Sequence, residues 1–378
     1  MSASALDMAR FMLAHLQDGR YGDGRILRED TARRMHSRSF SAHPALDGWA
    51  HGFAESHSHG QRLLSHDGGT GLFRADLMLL PETGVGLFVA FNARDRDGPI
   101  DSATDVVLET FLDRYYPEET PLPPPTPMPG SAERVRLFTG VYGLTRRSYT
   151  NHYAGEVLEK QVQVSAGPQG TLLISPHGAP PSRFVERSPG LFAPVERGRA
   201  AELLAFRVEA DGRASYLAQG PTFLERLPWY QSRTFNDRLL AAIGLLFASA
   251  VVGWPLATLW RRAPHTPRAS RQRHPERWAA GGLSALGLLL FLGQDYMTRH
   301  AADVTWQSTF ELPPFTRVLL LGVQAFAVLT PVAFLLTARA WWKRSGGVPL
   351  RVHVTLITLT AGVLVWWLAS WNLLGVPS

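Results

Sequence analysis

The chain has 378 residues, 45% of them hydrophobic and 19% charged, with 34 Gly and 27 Pro. That length predicts two or three domains, and the apolar fraction excludes a disordered polypeptide. There is no cysteine, which excludes disulfides, thiolate metal sites and a cysteine nucleophile. The net charge is +6 at pH 7, but its distribution argues against a nucleic-acid footprint. Residues 261–277 hold six arginines against one acid, and residues 339–351 hold four cations against none. These two stretches carry nine net positive charges, so the remainder of the chain is net −3. Both lie between long apolar runs, which is the pattern of membrane topology.

Taken in chain order, Ser4 and Asp7 form an S-x-x-D helix start, with Ala5, Ala9, Met12, Leu13 and Leu16 on one face and Gly19 after the end. Residues 49–55 and 62–66 read as strands. Residues 74–80 and 85–92 read as two more, joined by a Pro81-Glu82-Thr83-Gly84 turn. Residues 101–115 read as a closing helix with Val106, Val107, Leu108, Phe111 and Leu112. Seven prolines in 117–130 predict a stiff linker. It separates a first domain, 1–116, from a second, 131–230. The second has strand-like runs at 157–164, 171–175, 183–186, 203–209, 214–218 and 222–226, broken by turn signals. Such spacing predicts a small all-β barrel or sandwich.

Residues 238–376 read as a membrane region with four spans, at 239–260, 278–296, 317–338 and 353–375. The two arginine-rich loops belong on the cytoplasmic side. Loop 294–315, with Asp295, Asp303 and Glu311 against one arginine, belongs outside, and so do residues 1–237. Tryptophans near the span ends suit an aromatic belt. The span cores carry no acid, lysine or arginine, which points to an anchor and not a transporter. Pro255 and Pro331 read as tolerated kinks. The expected location is the plasma (inner) membrane, multi-pass, with periplasmic soluble domains. Residues 1–20 show no basic stretch followed by an apolar one, so no export signal is legible there. The expectation is that Met1 is not the native start, or that export uses the first span.

The most informative stretch is His66-Asp67-Gly68-Gly69-Thr70-Gly71, followed by the 74–92 hairpin. Adjacent glycines allow a ligand to approach strand backbone closely, and backbone N–H groups at such a point can stabilise an oxyanion. This run, the preceding SASALDMARFMLAHLQDGRYGDGRIL and the intervening GWAHGF together resemble the serine β-lactamase-related family, over about residues 2–115. That family comprises class C β-lactamases, penicillin-binding D-alanyl peptidases and related esterases. His66-Asp67-Gly68 matches its third motif, K-T-G or H-x-G. The resemblance implies a β-lactamase/transpeptidase-like α+β fragment, an antiparallel sheet plus helices. An accessory all-β domain and a four-helix transmembrane region follow.

It also implies acyl transfer through a serine, with cleavage of an amide, ester or lactam. His66 would line the site, Gly68 would keep the strand open, and the Gly69 N–H would be one oxyanion donor. The family's S-x-x-K motif is missing: the two lysines, Lys160 and Lys343, have Val157 and Ala340 three residues before them. The one Y-x-N, at Tyr149-Thr150-Asn151, follows the third motif where the family places it before, and reads as turn chemistry. Domain one is therefore expected to be the C-terminal part of a truncated hydrolase, inactive alone. The rival readings are a non-catalytic extracytoplasmic binding module and one half of a split enzyme.

Expected partners are the lipid bilayer, a peptide-like, lactam or ester substrate, and an upstream polypeptide that completes the fold; nucleic acid, cofactor and metal are not expected. His57-x-His59 would put two imidazoles on one strand face, but no carboxylate signature accompanies it. Phe138, Tyr142, Tyr149 and Tyr153 read as core and sheet packing. Asp95, Arg96 and Asp97 read as a solvated turn.

Overall fold

The computed structural model describes residues 3–70, 73–92, 100–117, 128–176, 178–195, 203–260, 274–299 and 314–375. It divides into two compact units, Met1–Arg146 with Lys160–Pro228, and Arg147–Glu159 with Trp229–Ser378. Most of the proline-rich stretch, Gly71, the Asp95–Asp97 turn, Tyr153's side chain and the centres of both long inter-span loops lie outside the described residues.

In the first unit, α1 (Ala5–Leu16) starts as its capping box requires. Ser4 Oγ accepts from the Asp7 N–H at 3.2 Å, and an Asp7 carboxylate oxygen accepts from the Ser4 N–H at 3.0 Å. A short hairpin of β1 (Arg20–Tyr21) and β2 (Gly24–Arg25) leads to α2 (Glu29–His36). This helix was not legible: only Ala32 in it is buried, so EDTARRMH carries no apolar period. A five-stranded antiparallel sheet follows in the order β3 (Gly48–Trp49), β4 (Ala54–Ser58), β5 (Gln61–Thr70), β6 (Phe73–Leu80), β7 (Val85–Phe91). Helix α3 (Ile100–Tyr115) closes the region.

Strand alternation distributes the apolar residues to both sheet faces. Leu64, Leu77 and Leu79 pack with Met12 of α1 on one face; Leu63, Met78 and Leu80 pack with Leu112 of α3 on the other. Among the described residues β7, sequence VGLFVAF, pairs with β6 alone, and it contains no charge or proline.

Residues 131–228 are not all strand. Helix α4 (Ser131–Phe138) precedes eight strands: β8 (Gly140–Leu144), β9 (Gln161–Ala166), β10 (Leu172–Pro176), β11 (Ser182–Ser188), β12 (Leu191–Pro194), β13 (Leu204–Val208), β14 (Ala214–Gln219) and β15 (Thr222–Arg226). Each pairs antiparallel with the next, and β15 pairs with β8 to close the barrel. Side chains fill the interior, as an eight-stranded barrel allows. Phe138 of α4 enters it and packs edge-on against Phe192, while Tyr142 is fully buried with its hydroxyl donating to the Phe138 carbonyl at 2.8 Å. Burial pushes the Tyr142 phenol up to about 12. Arg134 clamps α4 to β11 through the buried Glu186 carboxylate, at 2.8 and 2.9 Å. The sheet region and the barrel share this unit. Leu46 is buried against Ala205 and Ala218, and the Trp49 indole N–H donates to the Pro221 carbonyl at 2.8 Å.

The second unit is a bundle of α5 (Arg233–Val251), α6 (Gly253–Trp260), α7 (Pro275–Arg299), α8 (Pro314–Trp342) and α9 (Val348–Ser370). Pro255 lacks an N–H and crowds the carbonyl four residues back, and the α5–α6 break falls at Val252. α8 continues through Pro331. Among the described residues three helices, not four, are long and apolar enough to cross a membrane: Arg233–Ala257, Pro314–Trp342 and Val348–Ser370. The reason lies in α7. Glu276 and Arg277 begin it and Gln294 and Asp295 follow its apolar stretch, which leaves 278–293 uncharged. That is ~24 Å at 1.5 Å per residue, short of a ~30 Å hydrocarbon core. α7 nevertheless contributes Ala280, Leu283 and Leu290 to the same buried core as Phe247, Phe326 and Ile357.

Candidate functional site

β5 is the longest strand of its sheet, and its two sides are paired unequally. Its register with β4 ends at Ala54 opposite Ser65, whereas its register with β6 continues to Thr70 opposite Phe73. The chain enters β4 through a tight turn, in which the Ala50 N–H donates to the Phe53 carbonyl at 2.9 Å, so β4 cannot extend further. Residues 66–70 are therefore paired on one side only among the described strands. The three residues singled out by sequence all fall in this overhang.

His66 is exposed, opposite Leu77. Gly68 lies opposite Ala75, and a Cβ built on it would meet nothing within 4 Å. Gly69 lies opposite Arg74, whose guanidinium would sit 3.4 Å from such a Cβ. The same guanidinium is 3.0 Å from the Asp67 carboxylate and 3.8 Å from Asp76. Asp76 is buried, and that burial pushes its carboxyl up, only partly offset by the Thr104 hydroxyl and Arg74. The edge is thus open, polar and glycine-bearing, with a cation behind it.

A second polar group lies beneath α1 and had no signal in the sequence. His15 Nδ1 and His36 Nε2 are 3.1 Å apart, one from α1 and one from α2. Arg62 donates to the His36 carbonyl and, at 2.7 Å, to Glu55; Arg38 donates to the other Glu55 oxygen. Burial holds both imidazoles below the usual histidine value, aided at His15 by His36 and at His36 by Arg62. Burial raises the Glu55 carboxyl, but its bonds from Arg62 and Arg38 outweigh this and hold it below the usual range. These groups are paired among themselves, so they brace the sheet; they do not face a ligand.

The remaining sequence candidates are kept apart. His57, on β4, pairs with Asp47 at 2.9 Å; His59 sits in the β4–β5 turn with φ +53° and pairs with Asp113 at 2.9 Å. The imidazoles are not joined, and no group of three metal-ligating side chains occurs among the described residues. Consecutive positive φ at His59 and Gly60 is the tight-hairpin geometry that separates them. A cavity of about 320 Å³ is lined by His57, Asp47, Arg38 and Leu203, not by His66. Tyr149 stacks under Arg147 at 4.4 Å and its carbonyl accepts from Asn372, while the Asn151 carbonyl accepts from the Ala154 N–H, so Y-x-N serves as turn structure.

The sheet is covered on both faces by helices and ends in a glycine-bearing strand overhang. Residues 1–110 match the Beta-lactamase family model. A comparison with curated proteins found no match. Similar solved structures include "Crystal structure of SurE", at 18% identity and TM-score 0.38 over 60% of this chain and 48% of that one. "Crystal structure of SurE with D-Leu" has 18% identity and TM-score 0.39 over 60% and 50%. The octameric penicillin-binding protein homologue from Pyrococcus abyssi has 14% identity and TM-score 0.25 over 59% and 46%. The chain thus spans about half the length of the solved structures it matches.

Proposed function

We propose that this chain supplies the third-motif strand of a membrane-anchored serine hydrolase that cleaves an amide, ester or lactam through an acyl-serine. The observation that carries the reading is the one-sided pairing of 66–70, which leaves Gly68 and Gly69 open at a strand edge. A substrate laid along that edge meets backbone groups, with His66 exposed beside them. The nucleophile is not among these 378 residues, because S-x-x-K is absent, so a further polypeptide stretch supplies it. The unguarded outer edge of β7 supports this, since an apolar strand covered by helices on both faces suits a further strand beside it. The helical bundle anchors the protein. Its α7 crosses with the other helices, so the arginine-rich loops lie in the cytoplasm and the sheet and barrel lie in the periplasm.

The test is to label native membranes with a fluorescent penicillin and with a fluorophosphonate, then capture this chain. Label is expected on a polypeptide bearing S-x-x-K, either continuous with this chain or captured with it. The 378-residue chain purified alone should give no adduct. Gly68→Val has room to fold, and should lower the labelling rate by about tenfold or more by crowding the edge. Folded chain captured without label from either reagent favours the second reading, a non-catalytic binding module, to which the missing S-x-x-K already points.

A further inference from the structure

One end of the helical bundle gathers cations without counter-charges. The Ser345 hydroxyl, just after α8, donates to the Glu276 carboxylate at the start of α7 at 2.8 Å. This contact brings Arg277, Arg339, Lys343, Arg344 and Arg351 to the same end. Among the described residues none of the five is in an ion pair, and the local acid, Glu276, is buried against Ser345 and His274. Some arginines elsewhere are matched, such as Arg33 with Asp18 and Glu29, and Arg134 with Glu186. What sets this end apart is that five such cations come together there.

Two of the guanidiniums also lie over indole rings. Arg351 lies 4.8 Å over the Trp341 ring and Arg277 lies 5.2 Å over Trp254. Trp341 is itself fixed by donating to Thr355 Oγ1 at 2.9 Å. A guanidinium over a ring face can still present N–H groups at its edge to a phosphate. Trp278 and Trp342 stand beside these cations at 79% and 88% exposure. An acidic protein or a nucleic acid would match the charge and leave the indoles in water. A phospholipid matches both, with phosphate on the guanidiniums and acyl chain along the apolar flank.

We propose that this end of the bundle is a docking surface for anionic phospholipid headgroups, a reading that rests on the bundle spanning a bilayer. The full chain, purified in neutral detergent, would be titrated with dioleoylphosphatidylglycerol, with dioleoylphosphatidylcholine and with inorganic phosphate, while tryptophan fluorescence and melting temperature are followed. Only phosphatidylglycerol should shift both. The pair R277Q/R351Q should weaken its apparent affinity about tenfold or more. The exposed pair K343Q/R344Q gives the same test without touching the stacked arginines. Equal responses to both lipids, a response to inorganic phosphate alone, or an unchanged affinity in both variants would each overturn the proposal. Incorporation of the chain into phosphatidylcholine vesicles is measured separately. Incorporation without preference for phosphatidylglycerol sinks the docking surface and leaves the membrane reading standing; failure to enter either vesicle sinks both.

Discussion

His15 is 2% exposed, yet it is a histidine that hydrogen-bonds to a second histidine and not to an acid. Such a pair is stable only while at least one ring stays neutral, and burial keeps both His15 and His36 below the ordinary value of 6.5. Because the folded values lie below the unfolded one, the unfolded chain binds protons first as pH falls. The stability contributed is full above about pH 6.5 and declines as pH drops below it. Glu55, also lowered, gives a second loss of the same sign below its ordinary value of 4.5. Melting temperature measured between pH 8 and 4 should therefore fall in two stages. His15→Leu should remove the His15 share of the upper stage and leave the His36 share and the lower stage; an unaltered upper stage in that variant would refute the assignment. Nothing in the sequence marked these residues, because the pair joins positions 21 apart through two helices, and the Glu55 clamp needs the β4–β5 register to bring Arg62 across.

At the scale of elements, legibility followed the strength of local signals. α1 was readable because its capping box and apolar stripe are both local, and the β6–β7 hairpin because alternation and a turn coincide. β5 was read to His66 but runs to Thr70. Glycines carry no strand signal, and the last residues are held as a strand by pairing with β6. β8 and β12, five and four residues long, owe their existence to the barrel more than to any pattern of their own. Gly287 makes the corresponding point in the bundle. A Cβ there would lie 2.4 Å from the Phe247 ring, so its absence lets α5 and α7 pack closely. Gly287→Ala should destabilise the bundle by about 1–3 kcal/mol through overpacking. In a double-mutant cycle with Phe247→Leu, which vacates the space, much of that loss should return. Additive losses would mean the two positions are not coupled.

At the scale of the molecule, the number of crossing helices turns on α7. Composition admits three helices among the described residues, yet α7 shares the buried core of the other four and also exposes Leu289 and Leu292. If α7 crosses, residues 270 and 308 lie on opposite sides of the bilayer. The chain has no native cysteine, so single replacements report cleanly. Ser308→Cys should react with an impermeant maleimide on intact cells, and Ser270→Cys only after permeabilisation. Reaction of both from one side would show that α7 does not cross. The sequence alone determined the resemblance of residues 1–110 to the Beta-lactamase family model, the β5 motif, the absence of S-x-x-K and the arginine-rich ends of the apolar runs. Each of these is a matter of residue type and spacing along the chain. Only the tertiary structure decided that β4 stops short and leaves Gly68 and Gly69 at an open edge, that β15 returns to β8 to close a barrel, and that cations from α7, α8 and α9 meet at one end. Those outcomes depend on register and packing between segments far apart in sequence, which local pattern does not encode.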